Sequence, residues 1–366
     1  VYASGVCCVG KAPPVWASRD GGMTWAELTT PGVREATGIE GDFAVDDAGN
    51  LYFTDILLGA MWMTSWDKDG AWRHTTPVPL KPLVDRPWVR AGAEDVVYFL
   101  YNTGVSTELH VSTDGGRTFP PVPLRSFPAP LGTLGQGPER DDLWVVAGGK
   151  LYASPDGGRT WGEGEDVPLP PDAASGESGW NFHVPVVDEA GRVLVGADVG
   201  SARTGYRVYA AVREPDGAWS TTVVSPAGGT HFMPWPAAGR DGGFVLAWYG
   251  TDDAAAGPDD VPADAQWHVF LAASRDAGRT WQVVRADPEP VLEGPMARRL
   301  LDFLQVDLAP DGAAHVVYAR NLDGTNAERM LHARTTVGLG LAPLAFPHGP
   351  RAEATEPARP LPLRLG

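Results

Sequence analysis

Short apolar runs recur along the whole chain, and each is broken by a turn rich in Gly, Asp or Pro. "DFAVDDAGNLYFTD" (42–55) reads as apolar run, turn, apolar run. "RPWVRAGAEDVVYFLYN" (86–102), "FHVPVVDEAGRVLVGAD" (182–198), "HFMPWPAAGRDGGFVLAWYG" (231–250) and "DFLQVDLAPDGAAHVVYARN" (302–321) follow the same plan. This patterning predicts antiparallel hairpins. "LWVVAGGKLYAS" (143–154) predicts a tighter hairpin, closed by Gly148 and Gly149. With 45 Gly and 34 Pro in 366 residues, turns are favoured over long helices.

A second pattern is superimposed on the first. Ser18-Arg-Asp-Gly-Gly-Met-Thr-Trp25, Ser112-Thr-Asp-Gly-Gly-Arg-Thr-Phe119, Ser154-Pro-Asp-Gly-Gly-Arg-Thr-Trp161 and Ser274-Arg-Asp-Ala-Gly-Arg-Thr-Trp281 are near copies of one stretch. Ser65-Trp-Asp-Lys-Asp-Gly-Ala-Trp72 and Val212-Arg-Glu-Pro-Asp-Gly-Ala-Trp219 keep the frame more loosely. The copies start at 18, 65, 112, 154, 212 and 274, a spacing that signals a repeat architecture. Each follows an apolar run and precedes another, so it reads as strand, turn, strand. Glycine permits positive φ in the turn. The Asp carboxylate can accept backbone N–H bonds inside it, and the aromatic residue packs over the hairpin. Asp20, Asp114, Asp156 and Asp276 are therefore read as structural.

This Ser-x-Asp-x-Gly-x-Thr-Trp pattern resembles the Asp-box of sialidase-like β-propellers. The resemblance implies an all-β propeller of four-stranded antiparallel blades, with the boxes between third and fourth strands, away from the active face. Families carrying such boxes include sialidases, xyloglucan-cleaving glucanases, sorting receptors and photosystem assembly factors. Sialidases carry an Arg-Ile-Pro tripeptide, which this chain lacks; "DRPWV" (85–89) is its nearest fragment. Arg86 and Arg320, with Arg203 or Arg207, are the candidates for a sialidase-like arginine triad, and Glu177 for the partner of a nucleophilic Tyr.

Six box-bearing hairpins and one without predict seven blades of about 52 residues in a single domain spanning 1–366, with six blades as the alternative. We label the strands of a blade A to D from the axis outward. The chain opens in what reads as strand B of blade 1, "VYASGV". The Pro-rich tail, residues 347–366, is expected to be largely irregular, with "LPLRLG" a candidate for the missing strand A that closes the ring.

Antiparallel pairing puts the starts of A strands and the ends of B strands on one face, opposite the boxes. Polar residues recur there: Asp42, Asp85 with Arg86, His183, His231 and Asp302 at A starts; Asp55, Tyr101, Asp198, Tyr249, Arg320 and Asn321 at or beside B ends. Asp85, His231, Tyr249 and Asp42 are the candidates for acid–base or nucleophilic work. Arg86, Arg320, His183, Asp302, Tyr101 and Asn321 are the candidates for holding substrate. No ligand spacing marks a metal site, so no cofactor is expected. His183, His231 and adjacent Cys7 and Cys8 are the residues a soft metal would use, and the acidic loop 251–266 those for Ca²⁺. Solvated loop acids and packed histidines are the structural alternative for all of these.

The 14 Trp residues supply a large aromatic core. The net charge of −17 argues against nucleic acid as a partner. No run of 18 apolar residues appears, so no transmembrane helix is expected. Two adjacent cysteines do not make a disulfide framework. The chain opens at Val1 without Met or a basic-plus-apolar leader. The expectation is a secreted or periplasmic monomer whose signal peptide has been removed. It is read as a carbohydrate-active enzyme, a glycoside hydrolase or uronate lyase, binding a carbohydrate or other small polar ligand in a central funnel. The alternative is a non-catalytic propeller for binding or assembly.

Overall fold

The computed structural model describes residues 1–5, 13–30, 40–57, 60–78, 84–168, 177–178, 183–201, 205–296, 299–300, 304–309, 311–322 and 329–335. Every regular element among them is a β-strand, and the strands form seven antiparallel sheets. The fold is a seven-bladed β-propeller; the six-blade alternative is excluded. Blade 2 is Glu40–Val45, Leu51–Leu57, Ala60–Trp66 and Trp72–Val78. Blade 3 is Asp85–Ala91, Val97–Asn102, Thr107–Ser112 and Arg125–Phe127, and blade 4 is Thr133–Gln136, Leu143–Ala147, Lys150–Ser154 and Glu165–Asp166. In blade 5, Glu177–Ser178 and Pro185–Val187 both pair with Val193–Ser201, followed by Gly205–Arg213 and Trp219–Val223. Blade 6 is Thr230–Ala238, Phe244–Thr251, Gln266–Ser274 and Gln282–Arg285, with Leu292–Glu293 also on its third strand. Blades 1 (Tyr2–Ser4, Val15–Ala17, Ala26–Glu27) and 7 (Leu304–Leu308, Ala314–Arg320, Arg329–Arg334) show three strands each among the described residues.

A blade packs against a neighbour on both faces, so strand B is apolar on both sides. Val97–Asn102 and Phe244–Thr251 are buried at every position, which explains why they read as continuous rather than alternating runs. The core accordingly lies between blades: Met61, Met63, Phe99 and Tyr101 fill the seam of blades 2 and 3, and Val208, Val212, Trp248 and Phe270 that of blades 5 and 6.

The four close copies of the aspartate turn share one geometry. In the copy at 154, Ser154 Oγ donates to Asp156 Oδ1 at 2.9 Å and accepts from Gly158 N at 2.8 Å. Asp156 also accepts from the Thr160 amide at 2.8 Å and hydroxyl at 2.6 Å, and Trp161 Nε1 donates back to Gly158 O at 2.9 Å. The same bonds form around Asp20, Asp114 and Asp276, except that Phe119 has no indole donor. The Thr24 and Thr280 hydroxyls and amides hold the Asp20 and Asp276 carboxyls down to about 2. The looser copies are simpler: Asp67 accepts from the amides of Asp69 and Ala71, and Asp216 from that of Ala218.

The second turn glycine has a further task. Gly22, Gly116, Gly158 and Gly278 all have φ between 78° and 86°. Each lies flat on the preceding blade: Gly116 on Met63, Gly158 on Leu124, Gly278 on Val212. A Cβ would stand 2.6–2.7 Å from those side chains. Gly22 repeats the contact on His332 of blade 7, with Trp25 edge-on to the same imidazole at 5.4 Å, so blade 1 docks on blade 7 as blade 4 docks on blade 3.

The tail 347–366, Cys7, Cys8, Arg203 and Asp302 lie outside the described residues. We expect Gly158→Ala to cost about 1–3 kcal/mol through strained φ and overpacking. Asp156→Ala should lower the melting temperature without changing ligand binding. Thermal unfolding of both variants checks this.

Candidate functional site

The A strands surround the axis, and an open cavity lies among those of blades 2, 3, 6 and 7 and the inner strand of blade 1. Two tripeptides shape its wall, Arg86-Pro87-Trp88 on blade 3 and Met233-Pro234-Trp235 on blade 6. Arg86 has φ 55° and Met233 φ 59°, left-handed conformations unusual for side-chain-bearing residues and rarer still before proline. In both strands the register slips between this point and the Trp, forming a bulge. The two indoles stack across the axis with centroids 5.4 Å apart and planes 23° from parallel. Trp88 is buried, and Trp235 is half-buried against the cavity.

Arg86 lines the cavity with its side chain 11% exposed, and its Nε donates to the exposed Asp85 at 3.3 Å. Asp42, also in the lining, is buried and clamps three blades. It accepts from Val89 N at 3.0 Å, from the Arg90 guanidinium at 2.7 Å and from Gln305 Nε2 of blade 7 at 3.5 Å. At the opposite end Arg140 of blade 4 reaches Asp47 and the Val45 carbonyl of blade 2, at 2.8 and 2.9 Å.

The structure thus brings Asp42 and Arg86 to one cavity, with Asp85 beside it through its ion pair to Arg86. The other described candidates stand in the walls between blades. His231 is buried; its Nδ1 accepts from Trp248 Nε1 at 3.1 Å, Phe270 meets its ring edge-on, and burial pushes it down to about 4, leaving it neutral. Tyr249 is buried, with its hydroxyl accepting from Ala319 N of blade 7 at 3.0 Å. The Tyr101 hydroxyl donates to buried Glu108 at 2.9 Å, and its ring stacks on His110. His183 Nε2 is buried and the ring is pushed down to about 4 by burial, while the His183 carbonyl accepts from Thr133 Oγ1 of blade 4 at 2.6 Å. Asn321 is buried beside Val291 and Arg299, and half-buried Arg320 ends its strand. Trp88, Trp235 and Gln305 were not among the sequence candidates. The doubled Pro-Trp at A-strand starts is the signal that could have found the first two.

Asp198 of blade 5 is fully enclosed, and burial pushes its carboxyl up to about 7, opposed by the Met233 amide at 3.4 Å. Among the described residues no group of three or more His, Cys, Asp or Glu side chains is placed to hold a metal ion. In the acidic loop, Asp252 pairs with Arg285 at 2.6 Å, and Val261 and Ala265 are buried in the core, so the loop is folded onto the body. Among the described residues no helix is long and apolar enough to cross a membrane.

No family model matches the chain, and no curated protein matches it. Solved structures do match. The chain is similar to YCF48 bound to D1 peptide, at 18% identity and TM-score 0.53, covering 92% of this chain and 89% of that one. It is similar to a PL25 ulvan lyase bound to -[GlcA(1-4)Rha3S]-, at 13% identity and TM-score 0.54, covering 92% and 89%. It is also similar to the GH74 enzyme of Niastella koreensis, at 16% identity and TM-score 0.53, where it covers 90% of this chain but only 50% of that one. These likenesses define the class, a β-propeller.

Two outcomes follow from the axial geometry. Arg86→Gly should raise stability by about 1 kcal/mol, because glycine accepts the left-handed φ at little cost, measured by denaturant unfolding. Asp198→Asn should stabilise little near pH 4 and by up to about 4 kcal/mol above pH 7. The native carboxyl stays protonated where the unfolded one ionises, so wild-type stability falls as pH rises from about 4 to about 7, and the variant's does not. Parallel unfolding curves at both pH values check the sign.

Proposed function

We propose that the protein is an extracytoplasmic, carbohydrate-active propeller that takes an anionic saccharide into its axial cavity. One observation carries the reading: a guanidinium and an indole pair, both set by bulged A strands, share one wall. Arginine suits a uronate carboxylate or a sulfate through paired N–H bonds, and an indole face suits the apolar face of a sugar ring. A largely apolar cavity with few polar groups is the usual form of a small-ligand site. The GH74 and ulvan lyase neighbours, and the uronate and sulfated rhamnose in the latter's name, support the same substrate class. Asp85, exposed beside Arg86, is the carboxyl we assign to proton transfer, in hydrolysis or in elimination.

Calorimetric titration with uronate and sulfated oligosaccharides tests the binding. Arg86→Ala should weaken it about tenfold or more, the worth of one charge-assisted hydrogen bond. Equal affinity for neutral oligosaccharides, or an unchanged Arg86→Ala, would overturn the reading. Turnover is followed by reducing ends and by unsaturated uronate. Asp85→Asn should abolish it while leaving binding intact. Binding without turnover in the unmutated protein would instead favour a purely binding propeller, a reading supported by the enclosure of Tyr101, Tyr249 and His231 in blade walls.

A further inference from the structure

The seam between blades 7 and 1 uses the same turn glycine as the other close copies but a different partner. Gly116, Gly158 and Gly278 rest on Met63, Leu124 and Val212, side chains that no change of pH can charge. Gly22 rests on the imidazole of His332. A second imidazole lies behind it: His315 Nδ1 and His332 Nε2 are 2.9 Å apart, with ring centroids at 5.1 Å. Register brings them together. Val317 stands opposite His332, and His315 is two residues before Val317, so both rings share the sheet face turned to blade 1. His74 also underlies an aspartate turn, that of blade 3, but there Nε2 donates to the Gly115 carbonyl at 2.7 Å, a bond that survives protonation.

We propose that this imidazole pair is an acid-released latch: neutral, it seats the blade 1 turn on blade 7, and protonated, it lets that turn lift while the other seams hold. The pair is bonded only while one of its two facing nitrogens lacks a proton. His315 is buried, and its Nε2 has no hydrogen-bond partner. We assign His315 as the donor, because the opposite tautomer would bury an N–H at Nε2 with nothing to accept it. Every protonated form that keeps the bond puts an N–H on that Nε2. Every form that avoids this turns both facing nitrogens into donors. The charges around the pair do not favour an added proton. Arg334 lies over Gly21 and is ion-paired to Asp311, and the Val1 nitrogen, itself facing Asp307, Asp20 and Arg19, approaches from blade 1. Burial pushes His315 down to about 4 and lowers His332 as well. The folded chain thus binds fewer protons here than the unfolded chain, and the seam weakens as pH falls from about 6.5 to about 4. The turn itself does not titrate in that range, since Asp20 is held down to about 2 by the Thr24 hydroxyl and amide. This inference concerns a seam outside the cavity and does not depend on the saccharide reading.

Amide exchange of Gly22 and Gly158, followed by NMR in the full chain and corrected for the intrinsic pH dependence of exchange, tests it. The two amides are matched controls: each donates to its turn serine, at 2.7 and 2.8 Å. Between about pH 7 and about pH 4.5, protection of Gly22 should fall about tenfold or more relative to Gly158. In the double variant His315→Asn with His332→Gln, the Asn amide takes the place of Nδ1 and the Gln amide that of Nε2, so the pair stays bonded at every pH. Its Gly22 and Gly158 should keep a constant ratio of protection. Protection lost equally at both glycines in the unmutated chain, no loss at Gly22, or an acid response retained by the double variant overturns the proposal. Imidazole ¹⁵N shifts of the unmutated chain decide the matter even if the double variant fails to fold. Gly22 protection must then be lost at the pH where His315 and His332 titrate, below about 6.5, and a mismatch or a higher midpoint overturns the proposal.

Discussion

The ring depends on a flat contact between successive blades, made by a glycine that carries no side chain. In each close copy of the aspartate turn, serine, aspartate and threonine tie the backbone into one shape, and that shape lowers the second glycine onto the blade before it. The turn's Asp–Thr hydrogen bonds are exposed and individually modest, while the bond from the second glycine to serine is buried in the copies at 112, 154 and 274. Their value is that they fix a left-handed backbone where any Cβ would strike Met63, Leu124, Val212 or His332. Because Gly22 meets blade 7 as Gly158 meets blade 3, closure of the ring reuses the contact that builds it.

Strain is placed differently. The two bulged A strands hold residues in left-handed backbone before proline, Arg86 and Met233, which the rest of the blade must over-determine. What the strain achieves is visible: it turns Trp88 and Trp235 toward each other across the axis and puts Arg86 beside them. Asp42 adds the electrostatic counterpart, one carboxylate bonded to blades 2, 3 and 7 at the place where blade 1 has no described inner strand.

The buried histidines and tyrosines show how a propeller consumes polar residues. His231 bonds Trp248 within blade 6, and Tyr249 bonds Ala319 of blade 7. Tyr52, Tyr98 and Tyr318 do likewise toward Asp46, Asp141 and Asp287, at 2.6–2.8 Å. A buried hydroxyl or imidazole left without a partner costs more than the bond it makes contributes. The Tyr98–Asp141, Tyr318–Asp287 and Tyr249–Ala319 bonds join neighbouring blades, while the others lie within one blade.

Hairpins, turn chemistry and blade number were legible in the sequence alone, because each is a local matter: period-two patterning, positive φ at glycine, and a carboxylate within reach of its own turn. Seven units separated by repeated turns can close only with one another. Which strand-end residues reach the axis was decided by tertiary structure. Side chains stand perpendicular to the sheet. A polar residue at the end of strand B, such as Tyr101 or Tyr249, therefore points at a neighbouring blade rather than out of the rim. Bulges at Arg86 and Met233 redirect the tripeptides that carry Trp88 and Trp235 toward the axis, and a bulge depends on the strands that flank it.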